Sequence, residues 1–279
     1  MRMLIKKIAN MVPRFSTALD YGKFSLTGGA PRRFDNHPDV ALLDEIERTG
    51  FIIIPGYWTR AEAEQGMAEI ERIFAEHPDH VRRFSDVRIF GAEELSGLID
   101  RFYGDPWLQG VSDAYSGQRT VNAFTMANKV QPGPASKGSG EGWHKDSSFR
   151  QFKAFLYLND VGIDQGPLEL IAGSHRLGAY LRGMKAARLR FRHLRISDMQ
   201  IEDIVKYSGD RRVPMVADAG TLILADTACI HRGRPPVEGV RYALTNYYVQ
   251  PSQLSYRDVD EYRPVNPQKL LRLGGVLLE

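Results

Sequence analysis

Residues 119–131, RTVNAFTMANKVQ, mark the point at which the character of the chain changes. β-Branched and aromatic residues are frequent in this segment, a composition typical of a strand. Turn residues separate four further segments of strand length, which are FKAFLYLND at 152–160, GPLELIAG at 166–173, GTLILAD at 220–226 and RYALTNYYVQ at 241–250. The second half of the chain is therefore predicted to be mainly β, and it shows no repeat period.

The part of the chain before residue 119 is predicted to be mainly helical. VALLDEIERTG at 40–50 ends on a glycine stop, and TRAEAEQGMAEIERIFAEH at 59–77 opens on Thr59, a typical N-cap residue. Two further helices are predicted within 92–104 and 105–117, the second with a proline in its first turn. Between the first two helices, GFIIIPGYW at 50–58 is predicted to form a strand.

Helices followed by strands argue against an alternating parallel sheet and favour a barrel or sandwich with a helical buttress. We predict a double-stranded β-helix, the jelly-roll or cupin-like barrel, because its mouth can hold a small ligand. Residues 1–279 are expected to form one domain, with a mainly helical part at 1–118, a core at 119–250 and a C-terminal extension at 251–279. Residues 181–210 interrupt the core for too long to be a simple turn, and we expect a lid or side wall there.

Composition and charge exclude several classes of protein. Thirty-seven basic and thirty-four acidic side chains leave a net charge of +3, which is too even a balance for a nucleic-acid-binding protein. The single cysteine, Cys229, rules out an internal disulfide framework and a multi-thiolate zinc site, which fits a reducing compartment. A cytoplasmic protein that binds no nucleic acid is therefore expected.

The first twelve residues, MRMLIKKIANMV, combine apolar and basic residues. Lys6 and Lys7 interrupt the apolar run, so neither a secretion signal nor a membrane span is expected. The apolar residues share one helical face, which suits either peripheral contact with a membrane or docking onto protein. We expect docking onto this protein's own core or onto a partner.

A histidine and an aspartate two residues apart occur three times, as His37 and Asp39, His77 and Asp79, and His144 and Asp146. In the first two pairs a proline separates them at a predicted helix boundary, which indicates helix-end residues rather than metal ligands. The third pair lies where the glycine-rich loop at 131–142 is predicted to enter a strand. A spacing of two in a strand places both side chains on one face, as a shared metal requires.

A third ligand would have to come from a distant part of the chain. Two imidazoles and one carboxylate on one face of a metal leave three positions open for substrates. His231, at the end of an apolar run, is a candidate, and a buried structural histidine is the competing interpretation. Ten residues later Arg241 opens a predicted strand, where a buried guanidinium needs an anionic partner.

Four segments together resemble the phytanoyl-CoA dioxygenase family of iron- and 2-oxoglutarate-dependent oxygenases. They occur in family order and are GWHKDSSF at 142–149, FKAFLYLNDVGIDQGPLELIAGSHR at 152–176, GTLILADTACIHRGRPP at 220–236 and RYALTNYYVQ at 241–250. The resemblance implies that His144, Asp146 and His231 bind Fe(II), and that Arg241 binds the distal carboxylate of 2-oxoglutarate. It also implies a polar co-substrate contact from Lys129.

The resemblance further implies a dioxygenase that consumes O2 and 2-oxoglutarate, releases succinate and CO2, and hydroxylates a small or a lipid- or glycan-type substrate. Related halogenases lack the carboxylate ligand, so Asp146 argues against halogenation. Desaturation, epimerisation and ring closure stay open as outcomes. Two other classes also stay open, a non-catalytic metal- or sugar-binding β-barrel and a zinc hydrolase with the same ligands.

The sequence departs from the family pattern at two positions. A hydroxyl residue commonly lies two residues after the distal histidine, but Gly233 occupies that position, and Thr227 or Tyr157 is expected to replace the hydroxyl. Ala172 replaces the usual proline before the GSH motif, whose His175 is expected to be structural.

The substrate is expected to be anionic because basic residues cluster within the interruption of the core. No acidic residue lies between Glu169 and Asp198, and the cluster comprises Arg182, Lys185, Arg188, Arg190, Arg192 and Arg195. If it lies near the barrel mouth, its field would attract a phosphate- or carboxylate-bearing molecule. A solvated charged face is the alternative.

Overall fold

The computed structural model of the chain describes residues 34–35, 37–133, 136–189, 194–209 and 211–250. The apolar face predicted within the first twelve residues and the C-terminal extension lie outside these ranges. No helix in these ranges combines the length and hydropathy needed to cross a bilayer.

Six α-helices lie in the described ranges, namely α1 (Val40–Thr49), α2 (Arg60–Glu76), α3 (Gly97–Tyr103), α4 (Pro106–Ser116), α5 (Leu177–Ala187) and α6 (Asp198–Ser208). The first four confirm the predicted helices. Gly50 ends α1 with a left-handed conformation, φ 90°. Thr59 caps the start of α2 with a capping box. Its side chain accepts from the backbone N–H of Glu62, and the Glu62 carboxylate accepts from the backbone N–H of Thr59.

Ten strands lie in the described ranges, namely β1 (Phe51–Ile54), β2 (Arg82–Arg83), β3 (Val87–Phe90), β4 (Val121–Val130), β5 (Phe152–Tyr157), β6 (Leu168–Ile171), β7 (Arg212–Pro214), β8 (Leu222–Asp226), β9 (His231–Gly233) and β10 (Arg241–Val249). The six strands predicted from runs of β-branched and aromatic residues are all present. The hairpin of β2 and β3 was not anticipated, because its strands are short and rich in arginine.

The strands form two antiparallel sheets. The major sheet has the order β1-β8-β5-β10-β4-β3-β2, and the minor sheet has the order β7-β6-β9. A cavity lined by residues of both sheets lies between them. Two sheets enclosing a ligand-sized cavity, with helices packed on the major sheet, confirm the predicted jelly roll with a helical buttress.

Strand alternation decides which side chains reach the cavity. On β5, Phe152, Ala154 and Leu156 pack into the core shared with helices α1 to α4. Their neighbours Lys153, Phe155 and Tyr157 line the cavity instead. The same alternation on β10 sends Tyr242, Leu244 and Tyr248 to the helices, and Arg241, Ala243, Thr245 and Tyr247 to the cavity.

Helices α5 and α6 lie between β6 and β7, where the interruption of the core was predicted. Their apolar side chains form a separate small core with Trp143, Ile171 and Ile230. Ile171 belongs to β6, and Ile230 directly precedes β9. The two helices are therefore anchored against the minor sheet, beside the segment that carries His231.

Candidate metal and co-substrate site

Backbone hydrogen bonds bring the distant segments that carry His144 and His231 side by side. Each of the two residues donates its N–H to the other's carbonyl at 2.8 Å. Asp146 is held next to them, since its N–H donates to the carbonyl of Thr227 at 3.1 Å. His144 makes isolated bridges rather than opening a regular strand, and β5 begins only at Phe152. The predicted entry into a strand at this point is wrong, yet the two side chains still converge.

His144, Asp146 and His231 form a group whose donor atoms all lie within 4.8 Å of one another. Nε2 of His144 is 3.6 Å from Oδ1 of Asp146, and Nε2 of His231 is 3.7 Å from Oδ2. No other group of three or more such side chains converges in the described ranges. Two imidazoles and one carboxylate on one side of a shared point suit a divalent transition metal with open positions.

The far nitrogens of both histidine rings are held by backbone carbonyls. Nδ1 of His144 lies 2.8 Å from the carbonyl of Gly142, and Nδ1 of His231 lies 2.9 Å from that of Cys229. Because a carbonyl can only accept, each Nδ1 carries the proton and each Nε2 presents its lone pair to the shared point. Burial, with the nearby His144 ring, lowers the pKa of His231 to about 3, which keeps that ring neutral as a ligand must be.

Asp146 is ionised, as a metal ligand requires. Burial would raise its pKa, but the Lys153 ammonium and the two histidines hold the pKa well below its usual range. The Lys153 Nζ lies 2.7 Å from Oδ2, an ionic contact, and Oδ2 is buried without a well-angled hydrogen bond. A buried carboxylate oxygen with open lone pairs, next to two imidazoles that present Nε2, fits a metal ligand set.

Arg241 lines the same cavity as the three ligand residues. The residue is only 5% exposed and is the first of β10, as predicted. Its guanidinium donates to the carbonyl of Gly166, and its Nε is buried without a hydrogen bond. Tyr157 lines the same cavity, and the positive charge of Arg241 acts on its hydroxyl. A buried guanidinium with an unused donor inside a cavity is suited to an anionic ligand.

Of the two residues expected to replace the hydroxyl missing at Gly233, Tyr157 lines the cavity with Arg241 and Thr227 does not. The Tyr157 hydroxyl accepts from the N–H of Leu168 at 2.9 Å. The hydroxyl of Thr227 points elsewhere and donates to the carbonyl of Gln151 at 3.1 Å. At Gly233, a Cβ atom would lie 2.9 Å from the carbonyl oxygen of Ser139, so packing of the glycine-rich loop excludes a larger residue.

Lys129, which the resemblance assigns to the co-substrate, does not lie with the other predicted site residues. Its ammonium pairs with Glu71 of α2 at 2.6 Å and lies over the ring of Tyr242. Glu71 belongs to a helix and Tyr242 packs toward the helices, so Lys129 lies on the helix-facing side of the major sheet. The preceding residue, Asn128, lines the cavity instead. Strand alternation therefore assigns the cavity position to Asn128.

The remaining histidines singled out from the sequence lie apart from the site. Asp39 is the N-cap of α1 and its N–H donates to Nδ1 of His37, while His77 is the C-cap of α2. His175 is buried, with its ring nitrogens 3.1 Å from the Cys229 sulfur and 3.1 Å from the carbonyl of Glu47. These positions match the helix-end and structural roles predicted for them.

The basic cluster divides between two places. Arg195 lines the cavity and donates to the carbonyl of Gly140 in the glycine-rich loop. Arg182 lines a separate surface pocket beside α5 with Arg48 and Arg176. Arg190 and Arg192 lie outside the described residues. In the described part of the cluster, Arg195 is the residue that reaches the cavity.

A double-stranded β-helix that holds two histidines and an aspartate in its cavity defines a class of mononuclear metal proteins. Residues 46–237 match the family model of phytanoyl-CoA dioxygenase (PhyH). This match covers well over half of the chain, and the chain belongs to the phytanoyl-CoA dioxygenase family.

Curated relatives include two ectoine dioxygenases. The protein from Halomonas elongata is 26% identical over 161 residues, which make up 51% of this chain and 48% of that protein. The protein from Bordetella bronchiseptica is 28% identical over 160 residues, or 50% of this chain and 51% of that protein. The chain thus spans about half the length of the curated relatives it matches.

Solved structures confirm the fold. EctD from S. alaskensis with bound Fe has a TM-score of 0.62 at 17% identity, covering 81% of this chain and 82% of that one. The epimerase SnoN, solved with Fe3+, alpha ketoglutarate and nogalamycin RO, has a TM-score of 0.57 at 16% identity, covering 75% and 82%.

Proposed function

We propose that this chain is an Fe(II)- and 2-oxoglutarate-dependent oxygenase. His144, Asp146 and His231 would hold Fe(II), and Arg241 would bind the distal carboxylate of 2-oxoglutarate with the help of Tyr157. The observation that carries the proposal is that Arg241 and the three ligand residues line one cavity. A zinc hydrolase or a metal-binding barrel would need the ligands but not the buried arginine with an unused donor.

Bound iron would supply the oxidising chemistry, in which O2 and 2-oxoglutarate yield succinate, CO2 and an oxygen atom for a C–H bond of the substrate. The chain's own residues would bind and orient. His144 and His231 would present Nε2 to the metal, since each Nδ1 is held by a backbone carbonyl, and the Arg241 fork would fix one end of the keto acid. Phe155 and Leu168 give the cavity an apolar part of its wall, against which a substrate could pack.

The substrate proposed is a small anionic molecule. The cavity measures about 260 Å³ and must hold the co-substrate as well, which favours a small compound over a long lipid or glycan. Arg195 lines this cavity and is otherwise exposed, so it can attract a carboxylate or phosphate from solution. The relatives named ectoine dioxygenases support a small-molecule substrate.

A screen of small metabolites tests this substrate class. In an assay that contains the protein, Fe(II), 2-oxoglutarate and O2, we expect anionic compounds to stimulate both oxygen uptake and succinate release. Arg195→Gln should raise the KM of the stimulating compound roughly two- to fivefold, because exposed ion pairs contribute modestly. Added salt should raise the same KM in part through screening.

Arg182→Gln is the matched control, since Arg182 belongs to the same cluster but lines the separate surface pocket. Its KM should equal that of the unmodified chain. A neutral compound that stimulates turnover, with a KM indifferent to salt and to Arg195→Gln, would contradict the anionic substrate class. Hydrolysis without oxygen uptake would contradict the oxygenase assignment itself.

A further inference from the structure

A lysine lies beside the candidate metal site, in a position that neither the site residues nor the comparisons explain. Lys153 is 6% exposed and extends from β5 into the cavity. Its ammonium is 2.7 Å from Oδ2 of Asp146 and 3.8 Å from the centroid of the Tyr247 ring. In the described part of the chain, Asp146 is the acidic group that faces it.

A buried ammonium requires an anionic partner, because removing a charge from water without compensation is strongly unfavourable. Asp146 is this partner, since its Oδ2 lies 2.7 Å from the ammonium. The ammonium itself is nearly buried, and the aromatic face of Tyr247 closes one side of it.

Metal binding changes this balance of charge. Asp146 is also a proposed metal ligand, so a divalent cation and Lys153 would share one carboxylate. The two cations would then lie close together in a poorly solvated cavity, where like charges repel more strongly than in water. Arg241 lines the same cavity and adds a third positive group. The loaded site therefore needs a further anion near the metal and Lys153.

We propose that Lys153, with Tyr247 packed against it, forms a seat for the carboxylate adjacent to the keto group of 2-oxoglutarate. The proposal rests on the proposed function, in which Arg241 binds the distal carboxylate of the same molecule. Lys153 then disfavours a metal-only state and favours the state that holds both metal and keto acid. Metal and 2-oxoglutarate bind with positive coupling, and Lys153 is the residue that sets its size.

The coupling can be measured without turnover by titrating Mn(II) anaerobically, by calorimetry, with and without 2-oxoglutarate. In the unmodified chain, 2-oxoglutarate should tighten Mn(II) binding by tens-fold, within the usual range of about 5- to 150-fold. In Lys153→Met, Mn(II) alone should bind about tenfold more tightly, because Asp146 has lost its competing cation. The coupling should fall to a few-fold in that variant.

Two further variants separate charge from structure. Lys153→Arg keeps the charge and should retain most of the coupling. If Lys153→Arg retains the coupling and a folded Lys153→Met loses it, the loss is due to the missing charge and not to misfolding. Lys129→Met removes an ammonium from the opposite face of the same sheet, where it pairs with Glu71, and should leave the coupling unchanged.

The outcomes distinguish this inference from the proposed function. If 2-oxoglutarate fails to bind the Mn(II)-loaded unmodified chain, the proposed function fails. If it binds, but with equal coupling in the unmodified chain and in a folded Lys153→Met, the proposed role of Lys153 is wrong.

Discussion

Alanine in place of His231 is expected to weaken Fe(II) binding by at least 100-fold. Mutating a group that merely supports a metal ligand typically costs 10- to 100-fold in affinity, and His231 is proposed as a ligand itself. Its Nε2 lies 3.7 Å from the Asp146 carboxylate, and its Nδ1 is fixed by the carbonyl of Cys229. Without this ring the carboxylate and His144 offer only two donors. Anaerobic calorimetric titration with Fe(II) measures the change.

His77→Ala provides the matched control, because His77 belongs to a second His-x-Asp pair but caps α2 away from the cavity. Its Fe(II) affinity should equal that of the unmodified chain. An unchanged affinity in His231→Ala, with thermal unfolding showing a folded protein, would remove His231 from the ligand set.

Lysine in place of Arg241 is expected to raise the dissociation constant of 2-oxoglutarate by a factor of tens to thousands. The reason is geometric, since a planar guanidinium can donate two parallel hydrogen bonds to a carboxylate and an ammonium cannot. Truncating a buried charged contact costs about 2 to 5 kcal/mol, which corresponds to that range of affinity. The affinity for Fe(II) alone should stay within about twofold, because Arg241 contacts Gly166 and Tyr157 rather than a ligand residue.

Arg150→Lys is the control for loss of a buried guanidinium elsewhere in the fold. Arg150 pairs with Glu47 of α1 and is not among the residues that line the cavity. Its 2-oxoglutarate affinity should match that of the unmodified chain. Equal dissociation constants in Arg241→Lys and the unmodified chain would show that the co-substrate carboxylate is bound by another group.

Much of the fold could be predicted because local signals agreed with the tertiary structure. The helix limits at Gly50, Thr59 and Pro106 are set by capping chemistry that acts within one turn. The strands of the core carry the β-branched and aromatic residues that a two-sided sheet buries. The hairpin of β2 and β3 was not predicted, because its local sequence has little strand propensity. Its strand β3 is stabilised by pairing with β4, a contact between distant parts of the chain.

The position of Lys129 shows what a family resemblance does not decide. Neighbouring residues of a strand face opposite sides, so a one-residue difference exchanges the cavity for the helix-facing core. The register of β4 with β10 pairs Lys129 with Tyr242, a helix-facing residue, and Asn128 with Ala243, a cavity residue. That register depends on contacts between distant strands, which the sequence around Lys129 does not contain.

Lys153 was overlooked although a signal for it existed. It is the one charged residue in the apolar strand β5, and it lies four residues before Tyr157, on the same face. A charged side chain in a buried strand requires a partner, and the partner is Asp146. Side chains alternate between the two faces of β5, so Lys153 shares the face of Tyr157. That alternation, with a search for buried charged residues, is enough to predict that Lys153 lies in the cavity.

The most direct test of the central claim is the visible absorption spectrum of the chain with Fe(II) and 2-oxoglutarate under anaerobic conditions. We predict a weak charge-transfer band that requires both additions, because the keto acid and the three ligand residues would share one metal. Asp146→Ala should lack the band. The claim would be contradicted if the unmodified chain bound both components and gave no band, or if the band persisted in Asp146→Ala.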